Sequence, residues 1–385
     1  MRTTERKISV LLHSRAFYPQ VGGLERASET LADQLTIEGL KVTVLTDTPL
    51  GTAEEIPPYR VIRRPRPGQM RALIDEADLV HVNGFSMQLV QDCMRAGKRL
   101  IWTHQGYQAI CTEGNLLHGS SSCQGRLARC ARLSARARGA RWAARHIAEL
   151  VVRRALLRVA AANVCVSHWV AARIRAPRSR VIWNPVAVSA FAADDKAPAR
   201  GCFSFFGRLA TEKGADVLLE ALKLCRDAGH NFTVRLVGDG PQRQPLSAQA
   251  KRLGIADAVC FTGALVGQPL RQAQAKAWAV VVPSACEEAM GLVAVEAMAS
   301  GTPLIVAKRG GLLEVAEGCA IDFENRATQE LADAMVRMSD DDSLWRKLAA
   351  AGPERARRFD SRTIAHRYVQ LYEEVLVGTI AGEAL

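Results

Sequence analysis

A run of the ~18–20 apolar residues needed to cross a bilayer is missing from this 385-residue chain, which excludes a spanning helix. The opening, MRTTERKISVLLHSR, has an apolar core only from Ile8 to Leu12 before His13, Ser14 and Arg15. That core is too short for a secretory leader and reads as a first buried strand. Paired cysteines are missing as well: the 10 cysteines are scattered singly, without a Cys-x-x-Cys. Several lie in strand-like runs such as NVCVS and GCFSFFG, so they read as buried thiols in a reducing, cytoplasmic setting. Cys111, Cys123 and Cys130, with His118 between the first two, are the one group in which a metal ion is worth weighing. Their spacings match none of the common zinc patterns, so the expectation is that no metal is bound. No Asp-x-Asp closes a strand-like run either, which removes a familiar acidic grip for a catalytic cation.

What is present fits a folded protein, with 48% hydrophobic and 23% charged residues. The length suggests two domains of about 190 residues each. Charge is unevenly shared between the halves. Residues 1–195 carry 28 Lys/Arg against 16 Asp/Glu, whereas residues 196–385 balance at 23 of each. The basic excess therefore belongs to the first half, as if the halves serve different partners. Its densest part is 126–158, with arginines at 126, 129, 132, 136, 138, 141, 145, 153, 154 and 158 opposed by Glu149 alone. The spacing of three and four predicts helix, and Gly139 predicts a break into two. A solvated basic face is the plain reading, but so lopsided a run also predicts an anionic partner nearby. Nucleic acid is disfavoured, because Trp142 is the only aromatic interleaved there.

Short β-rich runs alternate with helical stretches throughout. KISVLLHS, KVTVLTD, ADLVHVNG, RLIWTHQG, ANVCVS and RVIWNPV fill the first half; GCFSFFGRL, FTVRLVGDGP, AVCFTGAL, AWAVVVPS and GTPLIVAK fill the second. Such alternation predicts α/β architecture with two doubly wound parallel sheets and helices on both faces. Residues 186–200, VAVSAFAADDKAPAR, read as a linker. The expected division is a first domain at 1–190, a second at 191–365, and a helix at 366–385 crossing back to the first. Two such domains would face a cleft, with ligands at the carboxyl ends of the strands.

Those strand ends carry the chemistry. After CFSFF come Gly207 and Arg208, then Lys213 and Gly214 just before a helix. A lysine at a helix start opposes the helix dipole, and an anion held by Arg208, Lys213 and backbone amides would reverse that penalty. Two solvated surface cations would account for the same residues. Gly22 and Gly23 likewise end a loop and begin a helix, where glycine lets backbone approach a phosphate closely. Gly238, in GDGP, and the pair 310–311 are further strand-end glycines, each compatible with an ordinary turn. Glu288 and Glu296 stand eight positions apart in ACEEAMGLVAVEAMASGTP. On one continuous helix they would be about 12 Å apart in rise, too far for a paired carboxylate site. If Gly291 opens the helix instead, Glu288 lies in the preceding loop and the amides from Gly291 through Leu292 and Val293 are free to meet an anion. Two carboxylates there would suit vicinal hydroxyls.

PSACEEAMGLVAVEAMASGTPLIVAKRGGLLEV, FFGRLATEKGADVLLEAL, LVGDGP, FTGAL and the early YPQVGGLE together resemble the retaining GT-B glycosyltransferases of family 4, over about residues 8–320. The resemblance implies transfer of a sugar from a nucleotide diphosphate sugar, with retained anomeric configuration and with neither metal nor cofactor. It implies that Arg208 and Lys213 hold the diphosphate, that Glu288 binds the donor sugar, and that Glu296 binds the ribose. Gly22 and Gly23 would lie against the phosphates, with Gly238, Gly291, Leu292 and Val293 completing the donor site. His104, in WTHQG, matches a histidine facing the donor sugar, although a strand-end histidine is often structural. Two departures stand out. Three residues (Ala285, Cys286, Glu287) separate Pro-Ser from Glu288 where the family has two, and Ala289-Met290 replace its Gly-Phe. Glu287 is thus an alternative first glutamate. Residues 105–160 follow no family pattern, as expected where acceptors are chosen.

The resemblance leaves the acceptor open: a lipid-linked saccharide, a small metabolite or a growing polysaccharide. A lipid-linked acceptor would suit a cytoplasmic protein held peripherally at an anionic inner membrane face through 126–158. Two other classes compete with transfer. A sugar-nucleotide epimerase needs acid and base groups beside the sugar ring, and only His104 and Glu288 offer themselves. A non-catalytic basic module binding nucleic acid leaves the neutral, motif-bearing second half unexplained.

Overall fold

The structure, a computed structural model, describes residues 7–20, 22–50, 56–119, 121–192 and 198–378. The chain forms two compact units, one comprising the chain up to Pro185 and again from Ser361, the other Val186–Asp360. In the first unit the strands are β1 (Ser9–Ser14), β2 (Lys41–Thr46), β3 (Arg60–Arg63), β4 (Leu79–Asn83), β5 (Leu100–His104), β6 (Leu117–His118), β7 (Ser121–Ser122), β8 (Ala162–Cys165) and β9 (Ser179–Val181). Seven of them make one sheet in the order β3-β2-β1-β4-β5-β8-β9, parallel at every pairing, while β6 and β7 form a small antiparallel hairpin. The second unit holds β10 (Cys202–Phe206), β11 (Thr233–Val237), β12 (Val259–Gly263), β13 (Ala279–Val282), β14 (Leu304–Ala307) and β15 (Ala320–Phe323). They form a parallel sheet in the order β12-β11-β10-β13-β14-β15.

Both orders reverse direction at one strand, β1 in the first unit and β10 in the second. There, consecutive crossovers leave to opposite sides and open a crevice at the carboxyl end. His13 and Ser14 end β1, and Gly207 follows β10, so the glycine-rich loops of the sequence lie at these two switch points. Strands covered on both faces need near-continuous apolar runs. AVVV in β13 and LIVA in β14 supply them and are buried throughout.

The first sheet breaks that rule at its centre, where His81 and Thr103 are buried. The helix Ser361–Val377 supplies their partners. It turns Ile364, Ala365, Tyr368, Leu371, Tyr372 and Val375 inward, an amphipathic spacing of three and four. Tyr372 Oη lies 2.7 Å from His81 Nδ1, Thr103 Oγ1 lies 2.7 Å from His81 Nε2, and Tyr368 Oη lies 3.1 Å from Thr103 Oγ1. The chain therefore divides at Pro185/Val186 and Asp360/Ser361, where the sequence suggested 190/191 and 365/366. The returning helix starts at Ser361, and residues 379–385 lie outside those described. The expected linker is partly built into the second unit. Val186 N–H donates to Phe359 O at 2.9 Å, and the 3-10 turn Val188–Phe191 packs against the helix Leu292–Ala299. Residues 193–197 of that stretch lie outside the described residues.

Burial holds three imidazoles neutral: the pKa values of His13, His81 and His104 fall from 6.5 to about 4, 3 and 4. A folded-state pKa below the unfolded one means that the unfolded chain takes up the proton first as pH falls. The stability these residues lend is complete above about pH 6.5 and drains away toward pH 4. Each histidine should forfeit about 2 kcal/mol between pH 6.5 and 5. Urea unfolding at pH 7 and pH 5 reads this directly, and equal midpoints would contradict it.

Candidate functional site

The second unit's site is assembled by backbone before side chains enter. Gly207 follows β10, and the chain turns through the 3-10 segment Thr211–Lys213 into Gly214, which has φ 71°. A Cβ at Gly214 would lie 1.9 Å from Pro283 O, so only glycine lets this turn press against the loop after β13. Two bonds tie the contact down, as the N–H groups of Ala285 and Cys286 donate to Glu212 O at 2.9 and 3.3 Å. Glu288 is fixed from its other side by Gly311 N–H, which donates to Glu288 O at 2.7 Å.

That framework brings two expected residues together. Lys213 Nζ donates to Glu288 Oε1 at 2.6 Å, and Ser284 Oγ donates to the same oxygen at 2.6 Å. Burial pushes against the Glu288 carboxylate, but the Lys213 charge and the bonds from Lys213 and Ser284 outweigh it and hold its pKa below the ordinary range. Burial likewise works against the Lys213 ammonium, and the Glu288 charge reverses the balance, raising its pKa. Among the described residues one donor of Lys213 is used, leaving two. Glu288 Oε2 has no hydrogen-bond partner among the described residues. Glu288, not its neighbour Glu287, is thus the carboxylate that receives Lys213; Glu287 is buried.

The remaining residues divide between the two units. Arg208 is exposed and pairs with Glu212, so the structure gives each cation its own carboxylate where the sequence suggested an anion between them. Gly291, at φ 89°, begins the helix Leu292–Ala299 without a side-chain cap, and Glu288 lies in the loop before it. Glu296 is buried within that helix, where Gln274 Nε2 donates to its Oε2 at 3.1 Å. Gly238 has φ 142°, and a Cβ there would sit 1.8 Å from Gly207 O. It is the close approach of two strand ends that demands glycine. In the first unit, Gly22 caps the helix Gly23–Ile37 in an extended conformation that any residue could adopt. His104 ends β5, with Nε2 2.9 Å from Asn163 Oδ1. Asn163 Nδ2 donates to Leu157 O and Pro177 O, so its oxygen is the acceptor and His104 Nε2 bears the proton. Ser284, Glu212 and Asn163 were missed in the sequence; only the strand-end position of Ser284 could have signalled its role.

The cysteines are not all alike. Cys111, His118, Cys123 and Cys130, whose spacing argued against a metal, are all buried with their ligating atoms within 4.8 Å of one another. Cys260 is exposed rather than buried. The arginine-rich segment folds as Leu127–Arg138 and Ala140–Leu156, with Gly139 at φ 92° between them. Some of its arginines serve the fold: Arg154 donates to Gly125 O at 2.7 Å, and Arg153 lies over the Phe85 ring at 4.4 Å. Arg126, Arg132, Arg136, Arg141, Arg145 and Arg158 are exposed.

Comparison with known proteins places these features. The family described as Glycosyltransferase Family 4 matches residues 21–190, and Glycosyl transferases group 1 matches residues 192–355. Over 175 residues the chain is 34% identical to the 2-deoxystreptamine glucosyltransferase of Streptomyces kanamyceticus, covering 45% of each chain. It is 34% identical over 189 residues to the D-inositol 3-phosphate glycosyltransferase of Corynebacterium glutamicum, covering 47% of this chain and 45% of that protein. The chain thus spans about half the length of the curated relatives it matches. Among solved structures, sucrose-phosphate synthase from Thermosynechococcus elongatus aligns with a TM-score of 0.75 at 21% identity, covering 97% of this chain and 100% of the other. Anabaena HepE in complex with UDP-glucose aligns at 0.70 and 20% identity, covering 95% and 99%. Likeness at these identities speaks for the fold alone, and the fold is GT-B.

The pair at the heart of the site is directly testable. In Lys213→Met, burial acts on Glu288 without its counter-charge, so the carboxyl should titrate above rather than below the ordinary carboxylate range. Carbon-detected NMR of labelled glutamate, assigned with Glu288→Gln, measures it. An unchanged titration would show that Lys213 does not set the charge state.

Proposed function

Because both halves of the chain belong to the GT-B glycosyltransferases of the family 4 type, we propose that it moves a sugar from a nucleotide diphosphate sugar to an acceptor, retaining anomeric configuration. The observation that carries this reading is the Lys213–Glu288 pair, three residues ahead of the uncapped helix start at Gly291. A diphosphate is met by the two remaining donors of Lys213 and by the amides of Leu292 and Val293, where the helix dipole favours negative charge. Arg208 joins from its exposed pair with Glu212, since such pairs hold weakly in water and exchange readily. Glu288 Oε2 accepts from a donor-sugar hydroxyl, and Glu296, oriented by Gln274, takes the ribose. In the first unit His104 is neutral, with its Nε2–H given to Asn163 and Nδ1 left as an acceptor for a ligand hydroxyl. Negative charge grows on the leaving diphosphate as the glycosidic bond breaks, and cations already in place lower that barrier without a metal ion.

UDP and UDP-glucose occupy Anabaena HepE, which makes uridine donors the first to try. With a competent acceptor and no added magnesium or manganese, the product anomer should match the donor. Lys213→Ala should lower turnover by about 10²–10³-fold, the effect of removing one preorganised charge-stabilising donor. Glu288→Gln should reduce turnover, while Glu296→Gln should chiefly raise the donor KM. Full turnover by Lys213→Ala at saturating donor would defeat the reading, and conversion of the nucleotide sugar without acceptor would favour an epimerase.

For the acceptor side we propose peripheral attachment to an anionic leaflet, which suits a lipid-linked acceptor. The exposed arginines of 126–158 support it, as do the exposed Val151 and Val152 beside them. Basic groups near such a surface contribute about 1 kcal/mol each and fade within a Debye length. Sedimentation should show binding to anionic vesicles at low salt and none to zwitterionic ones. Protein remaining in the supernatant with anionic vesicles would assign the arginines to a soluble anionic acceptor instead.

A further inference from the structure

The segment after His104 is folded around sulfur. Cys111 follows a turn whose Cys111 N–H donates to Tyr107 O at 2.8 Å, His118 ends β6, Cys123 directly follows β7, and Cys130 lies in the first turn of the helix Leu127–Arg138. His118 Nε2 is 3.7 Å from Cys111 Sγ and 3.6 Å from Cys130 Sγ. Around a tetrahedral ion with bonds of about 2.3 Å to sulfur and 2.0–2.1 Å to nitrogen, neighbouring sulfur and nitrogen ligands fall about 3.5 Å apart. The observed separations are close to that spacing. All three cysteines are free thiols, and one disulfide would still strand the third cysteine and the histidine.

The imidazole gives independent support. His118 is 7% exposed, and among the described residues its Nδ1 has no partner and its Nε2 meets only sulfur. Nε2, which faces two sulfurs, is the nitrogen a metal bond would take, and the proton would then reside on Nδ1. The Thr112 hydroxyl lies 3.5 Å from Cys130 Sγ. The chain bends sharply to achieve this, with Leu116 at φ 65° and Gln124 at φ 54° in the left-handed region that side chains disfavour.

We propose that Cys111, His118, Cys123 and Cys130 together bind one tetrahedral zinc ion that fastens the segment following β5. Three thiolates and an imidazole match the softness and geometry that zinc prefers. Binding converts three thiols to thiolates, releases their three protons, and leaves a complex of net charge −1. Arg154, bonded to Gly125 O, and Arg129, next to Cys130 in sequence, supply positive charge in the same segment. Four protein ligands leave no open position, so the ion is structural and takes no part in sugar transfer. The proposal stands whether or not the chain transfers sugar.

Elemental analysis of protein purified under reducing conditions, without added metal, should find about one zinc per chain. Cys123→Ser and Cys130→Ser should each fall below about a tenth of that, while Cys93→Ser, a buried cysteine outside the cluster, should keep it. Cobalt added to the wild-type protein stripped of metal should give the intense visible bands of tetrahedral thiolate coordination, a readout that needs no variant. Wild-type protein without zinc whose cobalt spectrum is that of the aqueous ion would overturn the proposal, as would a disulfide within 111–130 in protein from reducing cytosol.

Discussion

The ion pair between Lys213 and Glu288 is the constraint around which the second unit's site is organised. Each charge alone would be opposed by burial; together they remain ionised within 2.6 Å. The pair exists because Gly214 allows the turn after β10 to close against Pro283, and because Glu212 O collects two amides from the opposing loop. Among the described residues the geometry also leaves capacity unused, in two ammonium donors and one carboxylate oxygen. A site that is neutral overall yet offers both donors and an acceptor suits a ligand carrying phosphate at one end and hydroxyls at the other. That is the physical basis on which the proposed chemistry rests.

Each unit places its functional loops by topology. The reversal of strand order at β1 and at β10 opens the sheet where Gly22–Gly23 and Arg208–Gly214 emerge. The price for the first sheet is a polar interior, which His81 and Thr103 share with two tyrosines from the returning helix. This network ties the last described helix to the first unit more specifically than apolar packing would, since a hydroxyl withdrawn from it leaves a buried group unsatisfied.

Local pattern made much of this legible in the sequence. Alternating apolar runs predicted two parallel sheets, and Gly291 correctly separated Glu288 in a loop from Glu296 in a helix. The eight-residue spacing of the glutamates makes sense only with that break. What was hidden depends on distant contacts. Tyr372 meets His81 across 291 positions, and nothing near either residue announces the other. The intervals of the cysteine cluster fit no common pattern, yet a turn, a hairpin and a helix start bring Cys111, His118, Cys123 and Cys130 within reach of one another. Arg208 read as free to hold an anion because its pairing with Glu212, four positions on, competes with no visible motif.

The central claim is that the Lys213–Glu288 site receives a nucleotide diphosphate sugar, and a thermal-shift screen of uridine and guanosine diphosphate sugars tests it most directly. A donor present at 100 times its dissociation constant should add about 2.7 kcal/mol to the stability of the wild-type protein. The account predicts such a shift with at least one donor, and its sharp reduction in Lys213→Ala. A full shift retained in Lys213→Ala, or none with any nucleotide sugar, would contradict it.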